Sequence, residues 1–267
     1  QPSELSKITM MLALARYLHG LRPGEVSRPL KLAIPIALIA LPVGLVVMQP
    51  NLGTATLLAL GGFAVLFLAG LSWRWITPAL AAVAIAVPTA WEFVLRDYQK
   101  ARVMTFLDPT TDALGAGWNI TQAKIALGSG GLAGKGFLEG TQSRLNFLPE
   151  KETDFIFTII GEEFGFLGSI ALLLLFGAVI FYGIKIAMSS RSQFGRILAM
   201  GLTVNFFLYI MINGLMVMGL IPVVGIPMPL VSYGGTAMMT VMFGFGLLMS
   251  VHVHRRFDVP RHSSGMI

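Results

Sequence analysis

Residues 155–187 read FIFTIIGEEFGFLGSIALLLLFGAVIFYGIKIA, and this apolar run decides the fold class. A membrane-spanning helix needs about 20 mostly apolar residues, so the run is longer than one span requires. Further apolar segments cover about residues 5–18, 32–48, 52–71, 76–95, 197–220 and 235–251. The first is short and carries Lys7 and Arg16. We expect an all-α, polytopic transmembrane helical bundle with seven spans, forming a single membrane domain over residues 1–267.

The composition agrees with a lipid bilayer as the main solvent. Of the 267 residues, 55% are hydrophobic and 12% are charged, whereas an ordinary soluble domain carries about 25% charged residues. The net charge of +6 does not indicate a nucleic-acid partner, because the basic residues lie between the apolar runs and form no aromatic-interleaved patch. The chain has no cysteine, so it uses no disulfides.

The basic residues predict the orientation of the chain. They fall in four regions, which lie on one side if every segment spans: Arg22, Arg28 and Lys31; Arg74; Lys185, Arg191 and Arg196; and Arg255, Arg256 and Arg261. The positive-inside rule makes that side cytoplasmic. The C-terminus is then cytoplasmic, and about residues 97–154 form a large extracytoplasmic loop between the fourth and fifth spans.

This outer segment is too apolar to be disordered, since residues such as Trp118, Phe137 and Phe147 can pack onto the membrane domain. Residues 120–127 predict a short amphipathic helix. Residues 128–136, GSGGLAGKG, form a glycine-rich turn region. They fail the phosphate-binding loop pattern, because Ser129 and Gly136 occupy its required positions. We expect closely approaching backbone there rather than a nucleotide site.

Asp154 is the sharpest candidate for chemistry. It ends the stretch Leu148-Pro149-Glu150-Lys151-Glu152-Thr153-Asp154 and directly precedes the apolar run. One interpretation is a helix N-cap. The other is a general base whose pKa is raised by partial burial at the membrane boundary.

Glu4 and Lys7 share a helical face at the outer end of the first segment. They form either a plain ion pair or the rim of an outward-facing cavity. Glu162 and Glu163 favour a helix N-terminus electrostatically, and this structural role competes with a catalytic one.

Two further polar groups have structural interpretations beside functional ones. Asn205, Tyr209 and Asn213 lie on one face of the sixth segment, as interhelical hydrogen-bonding groups or as a cavity wall. His252 and His254 have no further ligands nearby, so a helix-end role is favoured over a metal site.

Several motifs in this order resemble the SEDS family (shape, elongation, division and sporulation), and its elongation and rod-shape members in particular. They are residues 1–7 (QPSELSK), 49–55 (QPNLGTA), 97–99 (DYQ) with Arg102 and Val103, 115–120 (GAGWNI), Gln122 with 124–126 (KIA), 128–136, 140–143 (GTQS), 148–157 (LPEKETDFIF) and 227–235 (PMPLVSYGG). They extend over nearly the whole chain.

The resemblance implies a fold of ten membrane helices, of which the seven segments here are the fourth to tenth. We therefore expect this chain to be a C-terminal part that lacks about three helices. It also implies a peptidoglycan glycosyltransferase of the bacterial cytoplasmic (inner) membrane, which polymerises lipid II into glycan strands for elongation and rod-shape maintenance. The implied partner is a class B penicillin-binding protein, which crosslinks the strands.

By the same resemblance Asp154 matches the catalytic residue of the family. We assign Glu4, Lys7, Arg102, Lys124 and Lys135 to substrate binding. A divalent cation, Mg²⁺ or Mn²⁺, is compatible with this chemistry, although the sequence shows no dedicated ligand cluster.

Two positions depart from the family pattern, which usually has Asp at Asn51 and His at Glu152. Asn51 loses a charge, and Glu152 places a second negative charge near Asp154. Two alternative functions remain open: a lipid II flippase or other transporter, and a non-catalytic scaffold of the cell-wall machinery. A transporter needs polar groups near the bilayer midplane, whereas these candidates gather at the outer surface.

Overall fold

The computed structural model describes residues 1–22, 24–49, 51–93, 95–108, 115–144 and 152–260. Their helices are α1 (Pro2–His19), α2 (Pro29–Met48), α3 (Leu52–Leu68), α4 (Trp73–Phe93), α5 (Asp97–Leu107), α6 (Ala116–Ser129), α7 (Thr141–Arg144), α8 (Ile156–Ser189), α9 (Gln193–Val217) and α10 (Gly235–Val253), with a 3-10 turn at Glu25–Ser27. No β-strand occurs in these ranges. The predicted all-α class is therefore confirmed. Phe147 and Pro149 lie outside the described residues.

Each of the seven predicted apolar segments forms a helix. Among the described residues, α2, α4, α8, α9 and α10 are long and apolar enough to cross a membrane, and α3 is a shorter apolar helix. The predicted helix at 120–127 is confirmed within α6. The count of seven spans, the outer placement of residues 97–154 and the orientation stay predictions.

The chain divides into two compact units. The first contains Gln1–Ala79, Ala178–Leu208 and Gly235–Ile267, and the second contains Leu80–Gly177 and Tyr209–Gly234. In the first unit α1 contacts α2, α3 and α10. Although it is the least apolar of the seven segments, it contributes several of the most buried side chains, Met11, Leu14, Ala15 and Leu18.

In the second unit, α8 is broken at Gly165, where the backbone has φ 65 and ψ −159. An unbroken helix would pair the amides of Phe166 and Leu167 with the carbonyls of Glu162 and Glu163, four residues earlier. The break separates these partners. It leaves two donors and two acceptors inside an apolar helix, where unpaired backbone groups are costly.

The glycine-rich segment 128–136 satisfies all four of these groups. The amides of Phe166 and Leu167 donate to the carbonyls of Gly131 and Leu132, at 2.9 and 3.1 Å. In return, the amides of Lys135 and Gly136 donate to the carbonyls of Glu162 and Glu163, both at 3.0 Å. The segment thus replaces the missing helical hydrogen bonds. It fixes residues 156–164 of α8, which follow the turn that contains Asp154.

This pairing explains why glycines recur on both sides of it. A β-carbon on Gly134 would overlap the carbonyl of Glu163, and one on Gly130 would overlap the carbonyl of Gly161. A β-carbon on Gly165 would overlap the amide nitrogen of Gly134. The expectation of closely approaching backbone in 128–136 is confirmed, and its partner is α8.

We predict that Gly165→Ala lowers the free energy of unfolding by about 2–4 kcal/mol, because it adds backbone strain at a left-handed φ to steric overlap in a packed site. Thermal unfolding of the purified protein in detergent measures the effect. Gly177→Ala on the same helix is the matched control. Its β-carbon meets nothing within 4 Å, and alanine is the better helix former by about 0.5–1 kcal/mol. Equal midpoints for the two variants would contradict the interpretation.

Candidate active site

Asp154 lies in the turn of residues 152–155 immediately before α8, which begins at Ile156. The N-cap position of α8 is therefore Phe155, and Asp154 precedes it by one residue. Phe155 is 2% exposed, so it anchors the turn in the interior, whereas Asp154 is half-buried. The carboxylate thus has partial access to solvent on a fixed turn.

The turn is bound to α9 and to the loop that follows it. The amide of Asn213 donates from Nδ2 to the main-chain oxygen of Asp154 at 2.8 Å. The hydroxyl of Ser232 donates to the main-chain oxygen of Thr153. The backbone amide of Tyr233 donates to the main-chain oxygen of Glu152 at 2.8 Å. Three consecutive carbonyls are therefore held from one side.

The same loop lies beside the carboxylate itself. Gly225 has φ 72, and the position of a β-carbon on it would lie 3.3 Å from Oδ2 of Asp154. Gly225 therefore lets the backbone approach the candidate base closely.

Arg102 on α5 and Lys124 on α6 are exposed cations of the same unit. Nη1 of Arg102 donates to the main-chain oxygen of Val223 at 3.3 Å, and the guanidinium lies 5.9 Å from the centroid of the Tyr98 ring. The Lys124 side chain crosses Gly219, filling the space that a β-carbon there would occupy. Both cations therefore contact the connection after α9, which also holds the turn that carries Asp154.

Lys135 has a different environment. Its Nζ donates to Oε1 of Glu162 at 2.6 Å and to Oγ1 of Thr141 at 2.8 Å. Oε1 of Glu162 also accepts from the Thr141 hydroxyl at 3.0 Å and from the Gln142 amide at 3.1 Å. The Glu162 side chain is 1% exposed and that of Lys135 is 27% exposed. Glu162 therefore lies inside α8 and is paired with Lys135 as its counter-ion. This is a structural contact, although it differs from the expected role at the helix N-terminus.

Glu4 and Lys7 lie in the first unit and form a buried ion pair. Nζ of Lys7 is 2.7 Å from Oε1 of Glu4, and the two side chains are 1% and 7% exposed. This geometry agrees with the ion pair expected from their spacing. Their assignment to substrate binding stays a prediction.

The two positions that depart from the family pattern have clear local roles. Oδ1 of Asn51 accepts from the backbone amide of Thr54 at 3.1 Å, which makes Asn51 the N-cap of α3. Glu152 is exposed, and its main-chain oxygen rather than its carboxylate joins the bonds that hold the turn.

Sequence reasoning overlooked the residues that hold the site. Asn213 was one of three polar positions on a helical face, and nothing local assigned it to Asp154. Ser232 was noted only as part of a motif. The one available signal was a fully polar amide at membrane depth, which requires a partner.

Within the described residues, no group of three or more His, Asp or Glu side chains is placed to hold a metal ion, and the role of Mg²⁺ or Mn²⁺ stays a prediction.

Comparison with known proteins now gives the family. The model of the FtsW, RodA and SpoVE family of cell cycle proteins matches residues 1–257. The chain belongs to this family. It is the SEDS family that the sequence motifs resemble.

Two relatives illustrate the similarity. Peptidoglycan glycosyltransferase MrdB of Escherichia coli (strain K12) is 51% identical over 257 residues, which cover 96% of this chain and 69% of that protein. Peptidoglycan glycosyltransferase RodA of Treponema pallidum (strain Nichols) is 40% identical over 183 residues, covering 68% of this chain and 42% of that protein.

Solved structures agree with the helical fold of the family. A chain from a peptidoglycan synthase complex, described for its structural coordination of polymerization and crosslinking, has a TM-score of 0.81 at 34% identity, covering 97% of this chain and 71% of that one. The rod shape determining protein RodA of Thermus thermophilus has a TM-score of 0.66 at 28% identity, with coverage of 97% and 67%.

We predict that Lys135→Met destabilises the second unit by about 2 kcal/mol, because removing one partner leaves the buried Glu162 carboxylate without its counter-ion. Thermal unfolding in detergent measures the loss. Adding Glu162→Gln should recover part of it, since the amide carries no charge to compensate. Arg28→Met is the control: the Arg28–Glu25 pair spans 3.7 Å with Arg28 68% exposed, and such surface pairs contribute little. A double variant less stable than Lys135→Met would contradict the counter-ion role.

Proposed function

We propose that this protein is a peptidoglycan glycosyltransferase that polymerises lipid II into glycan strands for cell-wall elongation. Membership of the family and 51% identity to a relative of that name support the reaction class. The proposal for the site rests on one observation above all. Asp154 lies half-buried on a turn whose main-chain oxygens at residues 152–154 each accept a hydrogen bond from α9 or the loop after it.

The chemistry requires a base and a set of cations. The 4-hydroxyl of a GlcNAc residue attacks the anomeric carbon of MurNAc, so a C–O bond forms there as the bond to the lipid pyrophosphate breaks. Asp154 accepts the hydroxyl proton as the general base. Exposed cations stabilise the negative charge that develops on the departing pyrophosphate.

Arg102 and Lys124 are our first candidates for these cations. Both are exposed, so their charges are accessible to an anionic ligand. Lys135 is partly neutralised by Glu162, and Lys7 is buried against Glu4. We assign Glu4, Lys7 and Lys135 to the substrate-binding region as secondary candidates. A divalent cation would add further charge stabilisation to the pyrophosphate when bound.

The family also supports a partner and a location. A structural relative belongs to a peptidoglycan synthase complex that coordinates polymerization and crosslinking, which favours a class B penicillin-binding protein as the partner here. Five helices suited to spanning favour the cytoplasmic membrane of a bacterium. The proposed orientation has the Asp154 turn outside and the C-terminus inside.

We predict that Asp154→Asn lowers the rate of glycan formation by about 10²–10⁴-fold, the usual contribution of a positioned general base. The measurement is polymer formation from lipid II by the full-length protein with its class B partner. Glu139→Gln, which neutralises an exposed carboxylate of the same unit, should retain the normal rate.

The result separates the alternative functions as well. An Asn variant that polymerises lipid II at the normal rate would exclude Asp154 as the base. A parent protein that moves lipid II across a vesicle membrane but forms no glycan strands would support the transporter instead. Absence of both activities would support the scaffold.

We predict that Lys124→Gln lowers kcat by about 10–10²-fold, because one donor to the developing charge is lost. Lys100→Gln on α5 removes the same charge from a neighbouring helix and should change kcat little. Steady-state kinetics on lipid II compare the two variants. Equal rates for the two variants would argue against a leaving-group role for Lys124.

A further inference from the structure

Asn213 on α9 is fully buried, and its side chain binds two main-chain oxygens at once. Nδ2 donates to the oxygen of Asp154 at 2.8 Å and to the oxygen of Ile226 at 2.7 Å. Oδ1 is also buried, without a hydrogen-bond partner among the described residues. The reversed amide would direct its oxygen at two carbonyl oxygens, so the contacts fix which amide atom is the donor.

The two accepting residues frame the carboxylate. One oxygen belongs to Asp154 itself. The other belongs to Ile226, the residue after Gly225, whose β-carbon position lies 3.3 Å from Oδ2 of Asp154. The side-chain amide of Asn213 therefore joins the backbone of Asp154 to the backbone at residues 225–226, which lies beside the carboxylate.

The orientation of the turn is set by hydrogen bonds from outside it, and the bond from Asn213 is one that reaches Asp154 itself. Residues 152–155 precede α8 and have no helical hydrogen-bond ladder of their own. Buried carbonyl groups require a donor, so loss of the Asn213 amide would oblige both carbonyls to move toward other donors or water. Movement of the Asp154 backbone moves its carboxylate. A displacement of about 1 Å in a catalytic group can cost about 10²-fold in rate.

We propose that Asn213 is a positioning residue for the transfer reaction, holding the Asp154 carboxylate over Gly225 without contacting substrate. The proposal rests on the proposed function of Asp154 as the general base. Ser232 holds the preceding residue of the same turn. Its hydroxyl donates to the main-chain oxygen of Thr153 and accepts from the backbone amide of Met228 at 2.7 Å.

Steady-state kinetics of Asn213→Ala test this role in the full-length protein, purified as the complex with its class B partner and supplied with lipid II. We expect kcat to fall by about 10–10²-fold while KM stays within about twofold, because the amide acts on the base and not on substrate affinity. Rates are normalised to the folded complex recovered from size-exclusion chromatography.

Asn205→Ala is the matched control. It removes the same side chain from the same helix, and Oδ1 of Asn205 is likewise buried without a partner in the described part of the chain. We expect its kcat and KM to remain near those of the parent. An equal fall in kcat for both variants would overturn the proposal, because the effect would then follow from loss of any buried asparagine.

The remaining outcomes are also decisive. A parent-like kcat for Asn213→Ala, beside an inactive Asp154→Asn, overturns the positioning role and leaves the base assignment intact. A parent-like rate for Asp154→Asn overturns the base assignment instead. Should Asn213→Ala yield no folded complex, Ser232→Ala tests the same turn. A several-fold fall in its kcat at constant KM supports the proposal, and an unchanged kcat overturns it.

Discussion

The exchange of backbone hydrogen bonds at Gly165 is the constraint on which the second unit depends. A helix that breaks within an apolar sequence exposes amides and carbonyls that lipid cannot satisfy. Here two amides of the glycine-rich segment donate to the two unpaired carbonyls of α8. Two carbonyls of the segment accept from the two unpaired amides of α8. Because neither element can satisfy its backbone alone, the segment and the broken helix form one structural element. These hydrogen bonds hold residues 156–164, the part of α8 that lies between the Asp154 turn and the break.

Burial divides the candidate cations into two classes. Lys7 and Lys135 each have a carboxylate partner within 2.7 Å. Removing a charge from water is costly unless it is paired, so these pairs are explained by their burial alone. Arg102 and Lys124 are exposed; Arg102 contacts the main-chain oxygen of Val223 and the Tyr98 ring, and Lys124 contacts Gly219. Because neither side chain is buried, neither charge is needed to neutralise a buried carboxylate. Arg102 and Lys124 are therefore the stronger candidates for binding an anionic substrate.

Much of the helical fold could be predicted from the sequence, because apolar segments of helical length leave few alternatives in a bilayer. The first segment was the weakest prediction, since Lys7 lowers its apolar character. Pairing with Glu4 removes that objection, and α1 is among the most buried helices. The glycine-rich segment was expected to allow close approach of backbone. Its partner could not be predicted, because the break at Gly165 and the loop are joined only by contacts distant in the sequence.

The candidate site also depends on contacts between residues that are distant in the sequence. Asp154 could be identified because it directly precedes an apolar run and matches the catalytic residue of the family that the motifs resemble. The groups that hydrogen-bond its turn could not be identified, since Asn213 lies 59 residues further along the chain. A carboxylate on an irregular turn cannot obtain its orientation from a helical hydrogen-bond ladder, so donors from elsewhere in the chain hold the backbone that carries it. Those donors come from α9 and the loop after it, and the geometry at Asp154 therefore depends on residues that a motif centred on Asp154 does not contain.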